Sequence, residues 1–220
     1  MKILIILLFL FFGFNSLRAQ PGTFKPTAES QYKENLVIRR YSIDAMRVVF
    51  KKPSNYIEVK QYVAPFNCMS AIHKYNILGS HIAYAFLKKD SSVAIVFALL
   101  ERDTADYRRT AATMKFLHRN YRGSPDSVWL YNARGRADTT SHPLQFFSPD
   151  RLRTYNADSG VEFFLDCSNL LLDKYQVSRG IVLDKKYRGI TEIYYFTRVG
   201  KKVDMEKEIE STKKMFSYKK

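Results

Sequence analysis

The composition of this 220-residue chain is that of a folded protein, because 46% of its residues are hydrophobic and 15% are aromatic. Such a content excludes a disordered chain, and the length suffices for one domain with a substantial core or for two small ones. The formal net charge of +15 favours polyanionic partners, although the same charge would also serve solubility alone.

The most hydrophobic run of the chain covers residues 3–14. A membrane-spanning helix needs about 17 to 25 apolar residues, so this run is too short to span well. Lys2 precedes the run and a polar break ending at Ala19 follows it, which is the pattern of a secretory signal peptide. We therefore predict export with cleavage near Ala19, and an uncleaved anchor is the alternative. The segment resembles signal peptides of exported proteins from Bacteroidetes-type Gram-negative bacteria.

Export restricts the partners that the positive charge could serve. Removing Lys2 and Arg18 from the 36 basic residues leaves 34 against 21 acidic ones, a net charge of +13. Outside the cytoplasm, the available polyanions are lipopolysaccharide phosphates, anionic lipid headgroups, acidic glycans and acidic proteins. We expect an anionic envelope component or an envelope protein as the partner, no nucleic acid, and no transmembrane segment in the mature chain. The location after export is periplasmic or extracellular.

The first predicted elements follow a polar leader. Residues 20–45 are assigned to this leader, which could end in a short helix, and residues 46–220 to a single α+β domain. The segments "MRVVF" and "YIEVKQYV" flank the turn signal "KKPSN" and predict a β-hairpin. Residues 65–78 fit a helix, with proline in the first turn and glycine after the end.

The middle of the chain predicts two strands and a long helix. "HIAYAFLK" and "SVAIVFALL" are joined by a short polar turn, and the second is apolar from Val93 to Leu100. A run that is apolar at every position indicates a central strand covered on both faces. Residues 104–122 show apolar side chains at helical spacing, with Thr104 as a cap and Gly123 after the end.

The last third predicts further strands and two more helices. Strand signals are "SVWLYN", "VEFFLD", "SRGIVLD" and "ITEIYYFTR", and "SPDRLRTYN" predicts a short helix. Asp204 is expected to cap a terminal helix whose apolar positions continue to Phe216. The "DSG" at residues 158–160 predicts a turn, because aspartic-protease chemistry needs two such loops and the chain has one.

These elements predict an α+β fold with a largely antiparallel sheet of about six to eight strands and helices packed on it. The hairpin followed by "ITEIYYFTRVGKKVDMEKEIESTKKMFSY" resembles the end of PsbP-like domains, in which an aromatic-rich strand leads into a terminal helix. The resemblance covers roughly the last 40 residues. It implies a non-enzymatic accessory or binding module, and it carries over no catalytic residue.

No motif of the sequence predicts a cofactor or a metal. The chain lacks both G-x-x-x-x-G-K-[ST] and G-x-G-x-x-G, and the spacings of its four histidines are not those of zinc ligands. Cys68 and Cys167 could form a disulfide in an exported protein, or each could pack as a small hydrophobic residue.

A pair of carboxylates offers the alternative of an exported hydrolase without a recognisable motif. Glu162 and Asp166 would share one face of a strand, and two facing carboxylates can hydrolyse glycosides. Such pairs are also common on solvated strand faces. We therefore assign no catalytic residue.

A basic stripe is the sequence feature that points most directly to a partner. Arg108, Lys115, Arg119 and Arg122 follow spacings of 7, 4 and 3. On a helix they would lie within about 80° of one another over about 20 Å. Such a stripe could bind phosphate or carboxylate groups, or it could be an ordinary solvated face. The sequence thus predicts a binding or accessory module of the cell envelope; a purely structural subunit is a third possibility.

Overall fold

The computed structural model of the chain describes residues 28–59, 81–102, 142–165 and 175–220, together with Ala105, Trp129, Leu130, Ala133, Arg134, Leu170 and Leu171. These residues form a large antiparallel sheet with helices, which confirms the predicted α+β class. The helices are α1 (Ala28–Met46), α2 (Pro149–Tyr155) and α3 (Met205–Thr212).

The described strands form one eight-stranded sheet and one two-stranded sheet. They are β1 (Val48–Phe50), β2 (Tyr56–Glu58), β3 (His81–Lys88), β4 (Val93–Glu101), β5 (Gln145–Phe146), β6 (Ser159–Phe163), β7 (Leu170–Leu171), β8 (Tyr175–Lys185), β9 (Gly189–Arg198) and β10 (Phe216–Tyr218). The large sheet has the order β2-β3-β4-β9-β8-β6-β5, with β7 paired to β8, and β1 pairs with β10. All these pairings are antiparallel.

Strand β4 lies in the interior of the sheet, as its apolar run predicts. It pairs with β3 on one side and with β9 on the other. Residues 93–99 are buried without exception. Ile95 belongs to the core that includes Ile209 of α3, whereas Val96 packs with Tyr194 on the opposite face. Both faces of the sheet are therefore covered at this strand, which explains why its sequence does not alternate.

The predicted hairpin between the first two strands is wrong, although both strands exist. β1 pairs with β10, so that Val48 lies opposite Tyr218 and Phe50 opposite Phe216, and β2 pairs with β3. The rings of Phe50 and Phe216 have centroids 5.3 Å apart. Phe216 is buried, and Phe50 packs partly buried against the same core, so this contact stabilises the distant pairing. A turn signal reports only on residues that are neighbours in the chain.

The strand predicted for residues 127–132 is also wrong at Trp129 and Leu130, the two residues of that range that the structure describes. Trp129 and Leu130 have helical conformation, as do Ala133 and Arg134. Trp129 and Ala133 are buried against Val161 of β6. At these described residues, the tertiary contact outweighs the β-propensity of the sequence.

The cap of α3 is confirmed, but the helix is shorter than predicted. Asp204 is the N-cap, and its side chain accepts a hydrogen bond from the backbone N–H of Lys207. The helix ends at Thr212, and Phe216 begins β10 instead of a further turn. Phe216 is buried in the main core. Pairing with β1 therefore provides hydrogen-bond partners for its backbone while its ring packs in that core.

Two further predictions concern the segment around α2. The short helix is confirmed, with Ser148 at the N-cap and Asn156 at the C-cap. The turn predicted for residues 158–160 is wrong in part, because Ser159 and Gly160 begin β6. A Cβ at Gly160 would lie 2.8 Å from the ring of Phe147, so close packing explains the glycine.

Helix α1 occupies most of the segment that the sequence assigns to a polar leader. Met46 is fully buried in the main core, and the Ser42 hydroxyl donates to Glu101 at 3.0 Å. Arg39 contacts Glu58 at 2.7 Å and stacks over the ring of Tyr84. The C-terminal part of α1 thus packs on the sheet. Within the described ranges, no helix combines the length and apolarity needed to cross a membrane.

Buried tyrosines are expected to make the fold sensitive to alkali. Burial is the main cause that raises the pKa of Tyr155 to about 12, although the nearby Arg151 guanidinium acts in the opposite direction. An unfolded tyrosine has a pKa of about 10, so stability is constant below that pH and falls between about pH 10 and 12. The midpoint of thermal unfolding, measured from pH 8 to 12, should therefore fall above pH 10.

Single substitutions separate this effect from other alkaline titrations. Tyr155→Phe should make the decline above pH 10 shallower, whereas Tyr187→Phe, at an exposed tyrosine, should leave it unchanged. Equal slopes for Tyr155→Phe and the wild type would contradict the prediction.

Candidate functional site

The residues that the sequence proposes for binding lie outside the described residues. This applies to the basic stripe (Arg108, Lys115, Arg119 and Arg122), to Cys68 and Cys167, and to Asp166. The anion-binding stripe and the possible disulfide therefore stay predictions.

A charged cleft of about 390 Å³ opens between the β3–β4 turn and the segment that joins β9 to α3. Its lining contains four lysines, three carboxylates, one serine and one valine. These residues are Lys88, Asp90, Ser92, Lys201, Lys202, Val203, Asp204, Lys207 and Glu208.

The β3–β4 turn is held in place by its own polar groups. The Asp90 carboxylate accepts hydrogen bonds from the Ser92 backbone N–H at 2.9 Å and from its hydroxyl at 2.6 Å. These two bonds are the main reason why the pKa of Asp90 is lowered from its usual value. Ser91 has a φ of 57°, and its carbonyl accepts a hydrogen bond from the Tyr175 hydroxyl. The Asp90 carboxylate therefore already accepts hydrogen bonds from within its own turn.

The connection from β9 to α3 lies beside this turn. The Arg198 backbone N–H donates to the Ser92 carbonyl at 2.9 Å, which joins the two segments. The chain then reverses at Gly200, whose φ of 79° suits glycine, and the Lys201 N–H donates to the Arg198 carbonyl at 3.0 Å. This geometry places Lys201 and Lys202 next to the end of β3.

Two more carboxylates of the lining also have partners within the protein. Asp204 accepts from the Lys207 backbone N–H at 3.2 Å and pairs with the Lys207 ammonium at 3.1 Å. The backbone bond is the main cause that lowers the pKa of Asp204. Glu208 is buried and pairs with the Lys88 ammonium at 2.5 Å.

Glu208 connects the cleft to the core. The Tyr56 hydroxyl donates a short hydrogen bond to one Glu208 oxygen, and Lys88 contacts the other. The pKa of Tyr56 is raised well above its usual value, first by burial and then by this hydrogen bond. Glu208 therefore fixes α3 to β2 and β3 and compensates the charge of Lys88.

Two cations of the lining differ from the others. Lys201 and Lys202 are exposed, and neither makes an ion pair with any residue that the structure describes. The positive charge of Lys201 contributes to the lowered pKa of Asp90. Glu208 and Asp204 pair with Lys88 and Lys207, and Asp90 is hydrogen-bonded to Ser92, so the cleft presents two ammonium groups that could bind an anion.

Glu162, the carboxylate of the hydrolase alternative, occupies a different place. It is buried, with 3% of its side chain exposed, between the guanidinium groups of Arg151 at 2.5 Å and Arg179 at 3.3 Å. Arg179 also contacts Glu206 at 2.9 Å. These contacts are those of an ion-pair network that joins α2, β6, β8 and α3, and they give the hydrolase alternative no support.

Sequence reasoning did not single out the lysines of the cleft. The signal was present in two Lys-Lys pairs, at residues 88–89 and 201–202, each next to a turn. Only the register of β4 and β9, with Val93 opposite Thr197, brings the two turns together. In the described part of the chain, no three His, Cys, Asp or Glu side chains group as metal ligands would.

Comparison of the chain with protein-family models, with curated proteins and with solved structures finds no match in any of the three. The similarity of the C-terminal residues to PsbP-like domains stays a prediction.

Proposed function

We propose that the protein is an exported, non-enzymatic binding module for an anionic partner. The charged cleft that contains Lys201 and Lys202 would be part of its binding site. One observation carries the proposal. The described carboxylates of the cleft have partners within the protein, whereas Lys201 and Lys202 are exposed without an ion pair among the described residues. The net charge of +13 that the chain would have after removal of Lys2 and Arg18 (34 basic against 21 acidic residues) acts in the same direction.

The chemistry of the cleft favours phosphate or carboxylate groups that stay partly hydrated. Lysine ammonium groups are compact point charges that bind phosphate without the bidentate geometry of arginine. Lys201 and Lys202 are exposed to solvent, so the attraction should be weakened by salt. A repeating polyanion, such as an envelope polysaccharide with phosphate groups, could contact the cleft and the predicted Arg108–Arg122 stripe together.

Export and the accessory role belong to the same proposal. The predicted cleavage near Ala19 would expose Gln20 as the new N-terminus, which mass spectrometry of the protein from its native host can test. The resemblance of the last residues to PsbP-like domains implies binding instead of catalysis and is consistent with the open, charged cleft.

The test uses residues 20–220 and inorganic polyphosphate as the probe. The double variant Lys201→Gln/Lys202→Gln should bind about tenfold more weakly at low salt, because two contacts to the polymer are lost. The slope of log K against log salt should become shallower by about 1.5 to 2. Titration calorimetry at several salt concentrations measures both.

A matched variant controls for the change in net charge. Lys213→Gln/Lys214→Gln also removes two cations, at the other end of α3, and should change the affinity much less. An equal loss in both double variants would mean that polyphosphate responds to net charge, and the cleft would then not be the site.

A further inference from the structure

An apolar side chain lies exposed in the turn beside the cleft. Val199 has 58% of its surface exposed, between Arg198 at the end of β9 and Gly200 in the turn. Valine is among the residues most often buried, and the charged residues Arg198, Lys201 and Lys202 lie within three positions of this one in the chain. Arg198, Lys201 and Lys202 are all exposed as well.

The adjacent β3–β4 turn adds to the positive charge. The Arg198 N–H donates to the Ser92 carbonyl, which holds this turn against the Val199 turn. Lys89 is exposed in that turn, and the nearby Asp90 is engaged by Ser92. The two turns thus combine a single apolar residue with cations from two segments of the chain.

We infer that these two turns dock on an anionic phospholipid surface. Val199 enters the boundary between headgroups and acyl chains, and the lysines beside it contact lipid phosphates. This inference rests on the proposed function, because it uses Lys201 and Lys202 and names the class of anion that they bind.

The arrangement of charge and apolar surface favours a membrane over a soluble polyanion. A bilayer offers a plane of phosphates with an apolar layer directly beneath it, so an exposed valine in a turn that also carries lysines complements both layers. Long lysine side chains can keep their ammonium groups at the phosphates while their methylene groups follow the apolar residue inward. A soluble polyanion offers negative charge but no apolar layer for the valine to contact.

The experiment measures sedimentation of residues 20–220 with vesicles of phosphatidylglycerol and phosphatidylcholine, and with phosphatidylcholine alone. Val199→Ser should weaken binding to the anionic vesicles about fivefold, and Val199→Trp should strengthen it about fivefold, because the apolar contact is removed or enlarged. Neutral vesicles should bind weakly in every case. Val37→Ser and Val37→Trp, at an exposed valine of α1, are the matched controls and should change nothing.

Polyphosphate binding separates this inference from the proposed function. If the Val199 variants bind anionic vesicles as the wild type does, while Lys201→Gln/Lys202→Gln still weakens binding to polyphosphate, the membrane inference is wrong and the anion site stands. If that lysine variant loses neither polyphosphate nor vesicle binding, both are wrong. Equal binding to neutral and anionic vesicles would also overturn the membrane inference.

Discussion

Replacing Glu162 with alanine is expected to lower the free energy of unfolding by about 3 to 5 kcal/mol, the range for removal of one member of a buried ion pair. The loss would leave the guanidinium groups of Arg151 and Arg179 close together without the carboxylate between them. Arg179 has 13% of its side chain exposed and would keep the exposed Glu206 as an acidic partner, so water could replace the lost carboxylate only in part.

Aromatic contacts make this site unable to relax easily. The Arg151 guanidinium lies 3.8 Å from the centroid of the Phe147 ring, and that of Arg179 lies 3.2 Å from the centroid of Phe164. Moving either arginine into solvent would break a cation–π contact as well as the ion pair. We therefore expect the two positive charges to stay near each other and to repel.

Urea unfolding followed by circular dichroism measures the loss of free energy of unfolding, and two further variants serve as comparisons. Glu162→Gln keeps the shape and removes the charge, so its loss should be smaller than that of alanine. Asp150→Ala removes an exposed carboxylate that pairs with Arg153 on the surface of α2, and it should cost less than about 1 kcal/mol. A cost below 1 kcal/mol for Glu162→Ala would show that the network is dispensable.

Replacing Glu208 is expected to destabilise the fold and to strengthen anion binding at the same time. Glu208→Ala would leave the Tyr56 hydroxyl and the Lys88 ammonium without their carboxylate, at a cost of about 3 kcal/mol. Lys88 has 22% of its side chain exposed, so partial hydration keeps this cost at the lower end of the range for buried pairs.

Glu208→Gln isolates the effect on binding. The substitution keeps the side-chain shape, removes one negative charge from the cleft, and leaves Lys88 available to a ligand. We expect polyphosphate to bind several-fold more tightly and the salt slope to steepen by about 1. Calorimetry of the folded variant at 20 °C or below measures both.

Glu210 supplies the matched control on the same helix. It is exposed and pairs with Lys213, so Glu210→Ala also removes one negative charge but leaves the cleft unchanged. Glu210→Ala should change the free energy of unfolding by less than about 1 kcal/mol. Weaker binding for Glu208→Gln, or an equal gain for Glu210→Ala, would argue against the cleft as the anion site.

The elements that could be predicted from sequence are those whose signals are local. The strands β3 and β4 are joined by a short turn, and β8 and β9 by another, so apolar runs and turn residues specify each hairpin within about 20 residues. The Asp204 cap depends on a hydrogen bond to a residue three positions later. The burial of β4 on both faces follows from its uninterrupted apolar sequence.

The errors concern contacts between distant parts of the chain. Phe216 continues the helical spacing of α3, but it pairs with Phe50 from the other end of the described chain. Trp129 has a strand-like sequence around it, but it packs in helical conformation against Val161. In both cases burial of a large aromatic side chain outweighs local propensity, because the hydrophobic gain depends on surfaces that only the folded chain brings together.

The sequence by itself therefore determined the fold class, the positive charge and the capped terminal helix. Charge follows from composition, and strand hairpins and helix caps depend on residues that are close together in the chain. Only the tertiary structure decided that Lys88 and Lys202 share one cleft, because the register of β4 and β9 sets the distance between their turns. It also decided which charges are available. The sequence offers Glu162 as a hydrolase carboxylate and does not distinguish Glu208 from other acidic residues, but burial against arginine and lysine makes both internal partners.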